Sequence, residues 1–292
     1  MSLDQNAVQA LNMESVPQGR AWLNQTPALG IELEYEHSNL YDGEGDYEYW
    51  TVGRDGSLRN GGVELVSTPL PFEDTDAALD EVQSIVELGA CIATQRCGLH
   101  THMNVRPCTV GQMFSLVTTL AVLEPTIYVT YAQNRKDSMF AVPLMWNSAQ
   151  MNGLASMLKR ARGGFGRQDS AMVAPVRFNK YSGINTAECV RNFGTIELRQ
   201  PYCSNNFDAI RSWIDFVKRT YTFGVAYDDP LHFLDEYSRN GVQWLQERLL
   251  GDTFDVDQTE QEEAEDGAYI IAGEPIHDWK ELTWDFPILE DR

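Results

Sequence analysis

The sequence predicts an α+β fold: a twisted antiparallel or mixed sheet flanked by helices. Strand-like stretches come before, between and after helix-like stretches, without the regular strand–helix–strand rhythm of a doubly wound sheet. Neither a Walker loop nor a Rossmann glycine pattern is present. The chain has 292 residues, 43% of them hydrophobic, enough for a sizeable core.

Taken in order, residues 1–27 read as a mixed lead-in, and residues 29–35 alternate as a strand. Residues 39–56, rich in Gly, Asp, Glu and Tyr, read as a loop or hairpin. Residues 61–67 form a second strand, ended by Thr68 and Pro69. Glu73, Asp74 and Asp76 favour a helix N-terminus. Leu79, Val82, Ile85, Val86 and Leu88 follow at helical spacing, which predicts a helix within 72–96. Residues 99–105 are a third strand. Thr109 is an N-cap for a long helix over 109–132, in which Pro125 should kink or interrupt the ladder. A helix over 147–162 closes on Gly163 and Gly164. Strands over 178–190 and 194–200, then helices over 206–225 and 230–250, complete the body. The stretch Gly163-Gly164-Phe165-Gly166 follows a helix instead of preceding one, which weakens it as a phosphate cradle.

One main domain, residues 1–251, is expected, with an acidic linker and a C-terminal docking segment over 252–292. The linker holds Asp255, Asp257, Glu260, Glu262, Glu263 and Glu265 without a basic residue. Beyond it, Tyr269, Trp279, Trp284 and Phe286 restore apolar character.

Net charge is −21. Such a chain repels a phosphate backbone, so a nucleic-acid groove is not expected. A small anion such as ATP is tolerable where metals and arginines neutralise it. No apolar run suggests a membrane helix, and the N-terminus shows no signal-peptide pattern. Five irregularly spaced cysteines make no disulfide framework. A cytoplasmic location is expected, and oligomeric state is left open.

The chemistry lies in four strands with one polar face each, since side chains alternate along a strand. Glu32 and Glu34 share a face of the first. Glu64 stands alone in an apolar second strand, where a carboxylate wants a partner or a metal. His100, His102 and Asn104 line the third. Glu197 and Arg199 share a face of the last. Clustered carboxylates repel one another and call for a cation. A mixed Glu and His set suits Mg²⁺ or Mn²⁺. Tetrahedral zinc on Cys97, His100, His102 and Cys108 is the rival, although Cys97 has no Cys-x-x-Cys partner.

Gly30-Ile31-Glu32-Leu33-Glu34, Asp55-Gly56-Ser57-Leu58 with Glu64-Leu65-Val66-Ser67-Thr68-Pro69, Cys97-Gly98-Leu99-His100-Thr101-His102 and Thr195-Ile196-Glu197-Leu198-Arg199 occur in that order. Together they resemble the putative amidoligase family, carboxylate–amine ligases with a glutamine synthetase-like catalytic fold, over residues 29–201. The resemblance implies metal ligation by Glu32, Glu34, Glu64, His100 and Glu197. It implies nucleotide contact by His102 and contact with the transferring phosphate by Arg199. Lys180, Tyr181 and Asn185 match a Lys-Tyr-x-x-x-Asn stretch of that family, and Lys180 is a further nucleotide candidate. Arg135 and Arg191 are phosphate or carboxylate candidates. Residues 160–167, with three arginines and three glycines, are a candidate lid or substrate loop.

The implied activity is ATP- and Mg²⁺-dependent ligation of a small-molecule or peptide carboxylate to an amine through an acyl phosphate, with Arg199 and Glu64 in catalytic roles. Two alternatives stand beside it: a guanidino or other small-molecule kinase on the same wider fold, and a degenerate fold serving as a binding protein.

Overall fold

A computed structural model describes residues 3–250, apart from residue 44 and segments 133–134, 136–137, 147–153, 155–157, 159–180 and 190–192. Lys180, Arg191, the 160–167 loop, nearly all of the expected 147–162 helix and the whole of 252–292 lie outside the described residues.

The described strands are β1 (Ala28–Tyr35), β2 (Trp50–Gly53), β3 (Val63–Ser67), β4 (Leu70–Pro71), β5 (Leu99–Asn104), β6 (Ile184–Asn185) and β7 (Thr195–Leu198). They form one open sheet in the order β2–β3–β1–β5–β7–β6, with β4 pairing the start of β1. Every pairing is antiparallel. The fold is therefore α+β, as the absence of a βαβ rhythm predicts.

One face of the sheet carries Ile31, Leu33, Tyr35, Leu65 and Leu198, all fully buried. Helices cover it: short α1 (Ala7–Ala10), α2 (Thr75–Leu88), α3 (Val110–Ile127), α4 (Phe207–Gly224) and α5 (Pro230–Leu249). Polar tips tie the layers together where apolar packing alone would slide. The Trp213 indole of α4 donates to Thr101 Oγ1 on β5 at 2.9 Å, and the Trp50 indole of β2 donates to the Ala78 carbonyl of α2 at 2.7 Å.

α3 is the core helix and packs against α4 and α5. Thr109 and Gln112 close a reciprocal capping box at its start, bonding each other's backbone N–H at 3.2 and 3.0 Å. Every α3 residue except Gln112 is buried. The hydroxyls of Ser115, Thr118 and Thr119 bond carbonyls one turn back, at 2.8–2.9 Å, so they need no outside partner. By length and composition Val110–Ala132 is apolar enough to cross a membrane, which the sequence reading did not register. Most of it is buried inside the protein.

Pro125 does not break α3. The helix runs on to Ile127 and then widens into a π turn over Tyr128–Ala132. The expected interruption thus takes the form of a change of ladder. Elsewhere, β2 emerges from the segment read as a loop or hairpin and pairs with β3. Among the described residues of the strand expected over 178–190, Ile184 and Asn185 pair with β7. Asn206 and Asp229 cap α4 and α5 through their side chains, and Pro230 follows at the first position of α5.

Candidate active site

Register brings the polar faces together. β1 lies between β3 and β5, so Glu34 stands opposite Glu64, and Glu32 stands opposite His100. β5 also pairs with β7, where His102 meets Glu197, and β6 sets Asn185 against Glu197 from the other side. Directly opposed residues of an antiparallel pair project to the same face, so all of these side chains share the face turned away from the helical core.

Glu32 forks between the imidazoles. Its Oε2 lies 3.2 Å from His100 Nδ1, and its Oε1 lies 3.2 Å from His102 Nε2. Burial alone would raise its pKa. The hydrogen bonds and charge of the two histidines overrule that and hold the carboxyl far below the usual range. His102 is pulled down by burial and pushed up by Glu32 and Glu197; the net direction is upward, toward imidazolium. Its other nitrogen, Nδ1, rests 3.1 Å from Thr195 Oγ1, and Phe193 packs edge-on to the ring at 6.2 Å.

Glu197 is enclosed by donors. Asn185 Nδ2 donates to Oε2 at 2.6 Å, Arg199 Nη1 donates to Oε1, and His100 Nδ1 lies 3.8 Å from Oε1. Arg199 uses its Nε to donate to the Phe140 carbonyl at 3.2 Å.

Glu34 Oε2 accepts the Gly98 N–H at 2.5 Å. A side chain at position 98 would find no room: a Cβ would sit 2.7 Å from His100 Nε2, 2.9 Å from Arg135 Nη2 and 3.1 Å from Glu34 Oε2. Arg135 is 3% exposed. It donates to the Pro201 and Cys97 carbonyls, lies over the Tyr202 ring at 5.0 Å, and faces the charge of Glu34. It therefore sits buried beneath the carboxylates as a structural counter-charge.

Glu64 is the exception to this compensation. Burial, then repulsion from Glu32, Asp55 and Glu34, pushes its carboxyl up to about 7, with Arg199 opposing from a distance.

Two sets of potential ligand atoms, Glu32–His100–Glu197 and Glu34–Glu64–His100, each lie within 4.8 Å of one another. The donor set suits a divalent cation. It is carboxylate oxygen and imidazole nitrogen. A cation would also relieve the repulsion on Glu64. Cys97 and Cys108 take no part: Cys97 Sγ accepts the Thr94 N–H at 3.3 Å, and Cys108 Sγ lies 3.4 Å from the Tyr221 hydroxyl. None of the five cysteines forms a disulfide, and all are buried.

Glu32, Glu34, Glu64, His100, His102, Glu197 and Arg199 are thus brought together as the four-strand argument expects. Asn104 is not. Its amide turns to the Leu23 and Thr26 carbonyls, at 2.8 and 2.9 Å, and pins the lead-in to the sheet. Asn185 is drawn in as a donor to Glu197. Thr195 and Gly98 were overlooked, although Thr195 shares its strand face with Glu197 and Gly98 immediately precedes the histidine strand.

The chain matches the family described as "Putative amidoligase enzyme" over residues 25–220, a span that includes β1 through β7 and most of α4. No curated protein matches it.

Proposed function

This chain belongs to that amidoligase family, and we propose that it joins a carboxylate to an amine with ATP, through an acyl phosphate, on a glutamine synthetase-like catalytic fold. One observation carries the reading. Adjacent antiparallel strands set Glu32 against His100 and His102 against Glu197 in direct register, on one face.

Glu32, Glu34, Glu64, His100 and Glu197 would hold Mg²⁺ or Mn²⁺. A bound cation supplies charge neutralisation for the β- and γ-phosphates and orients them. Arg199 stabilises charge on the transferring phosphoryl group: its Nε stays on Phe140 while its terminal nitrogens are shared between Glu197 and phosphate. His102 contacts the nucleotide, with Lys180 and Arg191 as further contacts. A substrate carboxylate oxygen attacks the γ-phosphorus, the bond to the bridging oxygen breaks, and ADP leaves. The amine nitrogen then attacks the acyl carbon and expels phosphate. Glu64 takes the amine proton through the carboxylate oxygen that the cation would leave free. The substrates are small-molecule or peptide carboxylates and amines, and the setting is the cytoplasm.

The test is turnover of ATP by purified protein with Mg²⁺ or Mn²⁺ and a pool of amino acids, peptides and polyamines, read by mass spectrometry. A metal-dependent condensation product, lighter by one water than its parts and absent in Glu197→Ala, is the expected result. A stable phosphorylated product would identify a kinase instead. Absence of both nucleotide and metal binding would identify a non-catalytic binding protein.

A further inference from the structure

Arg199 is aimed by main chain. Its Nε donates to the carbonyl of Phe140, so the direction of the guanidinium depends on where residues 138–146 lie. That segment is fixed at several points. The Val142 N–H donates to the Tyr181 carbonyl at 2.8 Å, and the Val142 carbonyl accepts from Gly183 N–H at 2.9 Å. The Gly183 carbonyl in turn accepts the N–H of Arg199 itself, at 2.8 Å. A closed circuit results: Arg199 main chain, Gly183, Val142, Phe140 and back to the Arg199 side chain.

Two buried side chains on the core helix clamp this circuit from below. The Tyr128 hydroxyl donates to the Ala141 carbonyl at 2.5 Å, and Glu124 Oε2 accepts the Leu144 N–H at 2.5 Å. They are four residues apart, hence on one side of the helix, and they bracket Val142. Tyr128 opens the π turn that follows Pro125, where the ladder loosens. Gly183 completes the fit: a Cβ there would lie 2.5 Å from the Tyr128 oxygen and 3.0 Å from Gln200 Cγ. A carboxyl that is 1% exposed in a core helix is costly unless it is neutral or bonded. Burial pushes Glu124 up to about 8, so it stands uncharged at neutral pH, and Leu144 supplies its bond.

We propose that Tyr128 and Glu124 are positioning residues that set the aim of the Arg199 guanidinium through the strap 138–146. For its functional consequence this rests on the reading that Arg199 meets the nucleotide's phosphate; its geometric core does not.

The experiment has two readouts on the full chain. Exchange of the Arg199 Nε–H is followed by ¹⁵N NMR, with the signal assigned by its loss in Arg199→Lys. Tyr128→Phe and Glu124→Leu are expected to speed that exchange about three- to tenfold, the size a single lost hydrogen bond implies. Glu124→Gln keeps an oxygen acceptor for Leu144 and is expected to behave as the parent. Binding of Mg²⁺ with a non-hydrolysable ATP analogue is then measured by calorimetry. Tyr128→Phe should weaken it, and the double variant with Arg199→Ala should bind no worse than Arg199→Ala alone. Unchanged Arg199 exchange in Tyr128→Phe and Glu124→Leu overturns the proposal, as does full additivity with Arg199→Ala. If the parent protein binds no nucleotide, the functional reading falls, while the exchange experiment still decides the strap.

Discussion

Glu197 and Glu64 are the same side chain on one polar face, and they meet opposite company. Glu197 receives Asn185 and Arg199, with His100 close by. Glu64 faces Glu34 across the β1–β3 pair and feels Asp55 and Glu32 as well, with only distant relief from Arg199. The β7 side of the site is charge-compensated and preorganised. Among the described residues, no basic side chain forms an ion pair with Glu64, and Arg199 acts on it only from a distance. A cation would therefore add most on the β3 side, and the compensated side holds the geometry ready for it.

The largest expected effect lies on the compensated side. Glu197→Ala or His100→Ala should lower ATP turnover by at least about 10²-fold, with the circular dichroism of a folded protein retained. Near-parental turnover in both variants would sink the proposed function. Next comes Asn185→Ala, which removes the 2.6 Å bond that orients Glu197. Isothermal titration with Mn²⁺ should show affinity reduced roughly tenfold, the scale at which outer partners of metal ligands act.

A sharper test of the contrast uses stability and asks only for a sign. In metal-free protein at pH 8, Glu64→Gln should raise the melting temperature by about 2–4 °C by removing repulsion. Glu197→Gln should lower it, because Arg199 loses its counter-charge. Shifts of the same sign would mean that the two sides do not differ as described.

A last test concerns Glu124, a buried carboxyl of the core helix. Burial sets its folded value at about 8 against an ordinary 4.5, with the bonds from Leu144 and Gln200 working the other way. The folded state thus holds this proton more tightly than the unfolded chain. The stability it adds is complete below about 4.5 and is lost as pH climbs through 8. The melting temperature of the parent relative to Glu124→Gln should therefore fall between pH 5 and pH 9. A difference that stays constant across that range would contradict the assignment.

Much of this site is legible in the chain itself. Alternation in residues 29–35, 61–67, 99–105 and 194–200 places each charged group on a face, and the structure turns those faces together. What alternation cannot convey is which strands are neighbours, and so which charges meet. That Glu64 would face a second carboxylate while Glu197 faced an amide and a guanidinium is decided by register across distant segments. Asn104 shows the limit most clearly. By period it belongs beside His100 and His102, yet the lead-in passes close enough to claim its amide. β2 was hidden for a different reason. It is four residues long, follows a run rich in Gly, Asp and Glu, and gains its strand character from pairing with β3. Arg135 gave no local sign of burial, because its partners come from Cys97, Pro201 and Tyr202.

His102 and Thr195, which touch at 3.1 Å, are 93 residues apart along the chain. This separation has a consequence for synthesis. A growing polypeptide acquires Glu32, Glu64 and both imidazoles early, but β7 emerges long after β5, and until it docks the edge of β5 that it will cover is unpaired. An incomplete chain therefore carries Glu32, Glu34, Glu64 and both imidazoles without Glu197 or Arg199. The site is completed in one late event, when Thr195–Leu198 closes onto Leu99–Asn104, so under the proposed function a product truncated before β7 is not a weak enzyme but an inactive one.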